Sequence, residues 1–267
     1  MNTILKKLLT ILCFLVCPVL LYELIVFFIA GLFKVLLLSL EADSAAALFL
    51  NRNLPLLYSG IGASLAALIL GFLYLSFKKQ TGVPSSARTF PVYGYFYVIF
   101  LGAAGAIFFN LLLELSRLPE LFPTTETIRT VTEASHPMIY FLVVCLIIPV
   151  TEELCFRGLG FFHLRRQFSY LTSALLTALA FGIFHGNAPQ TLYGFCMGIL
   201  LAHTAESCQN LFSLFLFHWS ANVVSFSFLG RPAEQTLMYS LPILGLSGIA
   251  CVWLYYRVRG LKGEPIS

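Results

Sequence analysis

Residues 138–162 read MIYFLVVCLIIPVTEELCFRGLGFF, and the whole fold can be read outward from this stretch. A helix crosses the hydrocarbon of a bilayer with ~20 apolar residues, and the stretch is long enough. It lacks the two-residue alternation of a spanning strand, so a helix is the element that fits. In its middle stand Glu152, Glu153 and Arg157, two carboxylates and a guanidinium where a lipid-facing sequence would carry none. Ionisable groups at that depth are expensive and mark function by default.

The rest of the chain has the same apolar character. Of its 267 residues, 59% are hydrophobic and 10% charged, and the mean hydropathy is +0.89. An ordinary soluble domain carries about a quarter charged residues, so that class is excluded. The 26 Phe and 12 Tyr exclude disorder. Further apolar runs at roughly 8–33, 54–77, 92–114, 169–187, 189–205, 210–229 and 236–256 bring the expected spans to about eight. The expected fold is all-α, a polytopic transmembrane helical bundle forming one integral membrane domain over 1–267, with a motif-bearing core at about 138–229. Lys6 and Lys7 precede an apolar run with no small-x-small cleavage site, which predicts an uncleaved first span.

The formal charge of +4 comes from 16 Lys+Arg against 12 Asp+Glu, scattered singly or in pairs between apolar runs. No nucleic-acid surface is expected from that pattern; the lipid bilayer is the expected partner, and the basic residues carry topology. With the N-terminus inside, one set of loops holds Lys6, Lys7, Lys78, Lys79, Arg88, Arg165, Arg166, Arg257, Arg259 and Lys262, ten in all. The other holds Arg52, Arg117, Arg129 and Arg231, which are four. The excess predicts cytoplasmic termini and places the connector from Ser116 to Pro137 outside. The short loops and small size fit a bacterial cytoplasmic membrane. Seven cysteines without a CxxC pair read as small buried hydrophobes.

Two more apolar runs carry polar groups, Phe181-Gly182-Ile183-Phe184-His185 and His218-Trp219-Ser220-Ala221-Asn222. Glu153 and Arg157, Phe181 and His185, and His218 and Asn222 are each four residues apart, so each pair shares a helix face. At ~100° per residue Glu152 is rotated about 140° from Arg157. Glu153 is therefore expected to pair with Arg157, leaving Glu152 without a partner and suited to act as a general base. The runs on either side of Phe168 form a hairpin, in which positions 153 and 185 each lie roughly 25 Å from the turn. The Glu pair and His185 can then face each other.

Taken together, Glu152-Glu153-x-x-x-Arg157, Phe181-x-x-x-His185 and His218-x-x-x-Asn222, in this order on three helices, resemble the CPBP intramembrane proteases. That family contains the CAAX prenyl endopeptidases and the bacterial Abi proteins linked to bacteriocin processing and immunity. The motifs cover about residues 149–222; the first three spans are readable only as hydrophobic helices. The resemblance implies that Glu152 and His185 activate a water, that His218 and Asn222 stabilise the oxyanion, and that Glu153 and Arg157 support the site. The substrate would be a peptide or protein at the membrane. Zinc is the alternative chemistry, because Glu152, His185 and His218 match a two-His-one-Glu ligand set. The pairing of His218 with Asn222 fits an oxyanion hole better, so no cofactor is favoured.

Two other classes compete with the enzyme. In a membrane transporter or channel, Glu152, Glu153, His185 and His218 would form a proton or cation path, but the chain has no repeated half. A non-catalytic scaffold or immunity protein would keep the fold without needing intact motifs. His136, His163 and His203 read as interfacial or structural, and Glu206 as a loop residue. Glu23 reads as pairing with a neighbouring helix or snorkelling, and Arg165 and Arg166 as an anchor to anionic lipid. Gly194 and Gly198 read as a close-packing GxxxG.

Overall fold

The structure is a computed structural model, described here for residues 3–80, 90–122, 135–228 and 233–261. Among these residues the chain folds into eight long or medium helices, a single 3₁₀ turn at Leu118–Leu121 and no strand. They are α1 (Thr3–Leu38), α2 (Ala45–Gln80), α3 (Val92–Ser116) and α4 (Pro137–Leu164), then α5 (Tyr170–Phe184), α6 (Ala188–Cys208), α7 (Leu211–Phe228) and α8 (Ala233–Arg259). Each expected apolar run is one helix of this polytopic bundle. Arg88, Arg129, Arg231 and Lys262 lie outside the described residues, as does most of the connector from Ser116 to Pro137.

Among the described residues five helices are long and apolar enough to cross a membrane: α1, α2, α3, α4 and the Ser240–Arg259 part of α8. α5 and α7 are apolar but shorter. α6 has 21 residues but carries Thr191, His203, Thr204 and Glu206. At ~1.5 Å per residue, the 15 residues of α5 cover about 22 Å, less than a ~30 Å hydrocarbon core. Of these three, α5 and α7 bear motifs together with α4, and α6 packs against them. Protein neighbours surround much of their surface, which relaxes the demand for apolar length that lipid imposes.

Chain chemistry sets the ends of the short elements. Ser169 opens α5 by accepting from the Thr172 N–H, and Asn187 opens α6 by accepting from the Gln190 N–H, with Pro189 in the first turn. Between them Gly186 adopts φ +75°, a left-handed conformation that favours glycine. The α5–α6 hairpin closes on small residues: a Cβ at Gly182 would meet the Thr191 carbonyl at 2.5 Å, and one at Gly198 would meet Ala178 Cα at 2.9 Å. Gly194 faces Gly182 across the same seam, so the GxxxG is a packing device.

α1 runs antiparallel to α4 in a readable register. Thr10 accepts a hydrogen bond from Gln167 near the end of α4. A Cβ at Gly160 would touch Leu15 Cδ1 at 3.2 Å, and the Pro18 carbonyl accepts from Cys155 Sγ at 3.6 Å. α3 meets α7 as closely, since a Cβ at Gly102 would collide with the Phe217 carbonyl at 2.3 Å, one residue before His218. Outward, α1 exposes Leu20, Leu24, Phe27, Phe28, Leu32 and Val35, while Thr151, Glu153 and Arg157 are wholly buried. The polarity is that of a bilayer protein, apolar outside and polar at the centre.

Two sequence expectations are corrected here, Arg165 as an anchor to anionic lipid and Glu206 as a loop residue. Arg165 is not left to lipid headgroups: its guanidinium forks onto Glu206 at 2.8 and 2.9 Å and also donates to the Phe168 carbonyl. Glu206 lies in the last turn of α6, where the α4–α5 turn can reach it. All seven cysteines are free thiols.

Candidate active site

The site begins with an irregularity in α4. Over Phe141–Ile147 and again over Leu154–Phe161 the helix widens to π geometry, a feature that recurs at functional sites. Pro149 has no N–H, so in the wider register the Val144 carbonyl loses its partner. Asn222 Nδ2 of α7 donates to that carbonyl at 2.9 Å, and Trp219 Nε1 donates to the Leu146 carbonyl at 2.9 Å. On the opposite flank Thr151 Oγ1 donates to the Ala63 carbonyl of α2 at 2.8 Å. The defect in one helix thus becomes the joint that fixes its neighbours.

Glu153 is the hub of the charged cluster. Its Oε1 accepts from Arg157 Nη1 at 2.9 Å and from His218 Nδ1 at 2.8 Å. Arg157 Nη2 reaches the Gly198 carbonyl at 3.4 Å, which the close α5–α6 seam leaves within range. The second carboxylate oxygen, Glu153 Oε2, and Arg157 Nε are buried with no hydrogen-bond partner among the described residues.

Glu152 is not the solitary carboxylate that helix rotation implies: its Oε2 lies 3.5 Å from His218 Nε2. His218 therefore stands between the two carboxylates. A carboxylate only accepts, so Nδ1 carries the hydrogen that binds Glu153. In a neutral imidazole Nε2 would then be an acceptor facing the acceptor Glu152. A proton on either group makes that contact attractive. With one proton shared there, the cluster of Glu152, Glu153, Arg157 and His218 carries no net charge, which is the condition under which buried ions are tolerable.

His185 is held differently. Its Nδ1 lies 2.8 Å from the Phe181 carbonyl, which fixes Nδ1 as donor and leaves Nε2 as acceptor in the neutral ring. The Phe181 ring lies between the two histidines, edge-on to His185 at 4.9 Å and to His218 at 5.7 Å between centroids. The Arg157 guanidinium sits over the same ring at 4.5 Å. Glu152, Glu153, Arg157 and His218 thus come together directly, and His185 joins them across Phe181. Asn222 is on the correct helix face but turns one amide N–H to Val144.

Residues 134–224 match the family model described as "Type II CAAX prenyl endopeptidase Rce1-like". The match agrees with the CPBP resemblance drawn from the three motifs and spans α4 to most of α7. No curated protein and no solved structure gives a significant match to the chain.

The matched segment contains all six charged and polar motif residues, and the geometry adds one residue that the sequence did not single out. Trp219 clasps the widened turn of α4, while Phe181, which opens the His185 motif, is the ring on which the histidines and the guanidinium converge. A tryptophan in an apolar run gives no signal of such a role. Among the described residues no group of three or more His, Cys, Asp or Glu is disposed to hold a metal ion.

The other histidines are tied into packing. His163 stacks on Phe14 at 4.1 Å and contacts the Leu159 carbonyl. His203 stacks on Tyr255 at 3.7 Å and contacts the Tyr255 carbonyl. His136 caps α4 by accepting from the Met138 N–H.

Proposed function

We propose that the chain is an intramembrane endopeptidase that hydrolyses a peptide bond of a membrane-associated peptide or protein. The observation that carries this reading is His218 bracketed by Glu152 and Glu153 inside the bundle, within a segment matching an Rce1-like type II CAAX prenyl endopeptidase. In the active form the shared proton resides on His218, held in place by Glu153, and Glu152 is ionised. Glu152 and the acceptor nitrogen of His185 hold a water. As the water oxygen bonds to the carbonyl carbon, its proton passes to Glu152 and the carbonyl oxygen becomes an oxyanion. His218 Nε2–H and the remaining amide N–H of Asn222 donate to that oxyanion. Collapse breaks the C–N bond, and the proton on Glu152 moves to the leaving amine.

Glu153 and Arg157 act through His218, fixing which nitrogen carries the hydrogen. This reading uses only side chains of the protein. The probe suited to the family match is a peptide ending in a prenylated Cys followed by three residues. Purified protein in lipid nanodiscs should cleave it, and Glu152→Ala should abolish cleavage with insertion unchanged. Equal rates for the variant and the wild type would sink the assignment. The short loops and small size support a bacterial cytoplasmic membrane, and the ten-to-four division of Lys and Arg supports cytoplasmic termini.

A further inference from the structure

We propose that Tyr22, on α1, is a catalytic residue whose hydroxyl donates a hydrogen bond to the scissile carbonyl oxygen as it becomes an oxyanion. The inference rests on the endopeptidase reading and adds to it a helix outside the matched segment. Its first support is register. Thr10 meets Gln167, Leu15 meets Gly160 and Pro18 meets Cys155, so one more turn along each antiparallel helix brings Tyr22 level with Glu152. The phenol lies within electrostatic reach of the Glu152 carboxylate, in accord with that register.

The second support is packing. Tyr22 is buried, at 4% exposure, although Glu23 and Leu24 beside it face outward. Its ring lies against Phe184 at 5.6 Å, and Phe184 contacts both Phe156 and His185. Tyr22 therefore stands between α4 and α5, level with Glu152 and one aromatic ring away from His185. A ring so enclosed has its hydroxyl direction set by its neighbours.

The third support is an unused donor. Tyrosine hydroxyls in protein interiors usually find a partner, yet that of Tyr22 makes no hydrogen bond among the described residues. The other donors of the site are partly committed: His218 Nδ1 serves Glu153, and one Asn222 N–H serves Val144. Each residue then retains one N–H, and a tetrahedral oxyanion can accept more than two hydrogen bonds. A hydroxyl from α1 supplies the next donor.

Tyr22→Phe keeps the ring and its stacking on Phe184 and removes only the hydroxyl. With wild type, Tyr22→Phe and Glu152→Gln in nanodiscs and the prenylated peptide as probe, Tyr22→Phe should lower kcat by about 10²-fold. KM and the thermal unfolding midpoint should change little, because the lost bond forms only in the transition state. A Tyr22→Phe rate within twofold of wild type, with Glu152→Gln inactive, would overturn the role of Tyr22 and leave the endopeptidase reading standing. Full activity of Glu152→Gln, or no cleavage by wild type, would overturn both. An equal rise in KM with kcat unchanged would assign Tyr22 to ground-state binding and overturn the oxyanion role.

Discussion

Glu153 satisfies two partners with one oxygen, and the consequence differs from that of losing an ordinary salt bridge. Glu153→Ala leaves Arg157 as an uncompensated buried charge and removes the acceptor that orients His218. Breaking such a pair costs about 3–5 kcal/mol, so the yield of folded protein should fall sharply, as read by size-exclusion chromatography in detergent. The double variant Glu153→Leu with Arg157→Met should recover yield without recovering activity, because apolar replacement of both partners removes the buried charge. Recovery of activity as well would show that orienting His218 is dispensable. Histidines separate along the same line. His185→Ala should abolish cleavage, whereas His163→Ala and His203→Ala, which remove stacked rings far from the charged cluster, should leave the rate per folded molecule near that of wild type.

At the scale of elements, α5 and α6 approach so closely that the seam tolerates no side chain at Gly182. Gly182→Ala would drive a methyl into the Thr191 carbonyl, and overpacking of this kind typically costs about 1–3 kcal/mol. A fall in thermal midpoint is expected, with a loss of activity as His185 and the Gly198 carbonyl shift. Gly186→Ala should behave differently. Nothing lies within 4 Å of its Cβ position, so its cost is the left-handed backbone alone, about 1–2 kcal/mol. A larger drop for Gly186→Ala than for Gly182→Ala would contradict this ordering. The widened turns of α4 belong to this scale too: Pro149 opens a carbonyl, and Asn222 of α7 closes it.

Across the whole molecule, the ten-to-four division of Lys and Arg predicts cytoplasmic termini and an external segment at Thr124–Thr130. Cysteines placed after Lys79 and within Thr124–Thr130 should label from opposite sides with an impermeant maleimide. Labelling of Thr124–Thr130 only from the cytoplasm would invert the topology. Among the described residues, α4 is one of the five long apolar helices and carries most of the charged cluster, and the shorter α5 and α7, with α6, pack around it.

The apolar runs alone determined that the chain is a helical membrane bundle, because every backbone group in lipid must be satisfied within its own segment. Spacing alone determined that Glu153 pairs with Arg157, since residues four apart in a helix are neighbours whatever surrounds them. Tertiary structure decided the rest. Helix rotation separates Glu152 from Arg157, but only the docking of α7 brings His218 between the two carboxylates. The same docking turns Asn222 to Val144 and Trp219 to Leu146, partners that a local period cannot reveal because they lie more than seventy residues away. Tyr22 is the extreme instance: a tyrosine in a featureless apolar run comes level with Glu152 only through the antiparallel register of α1 on α4.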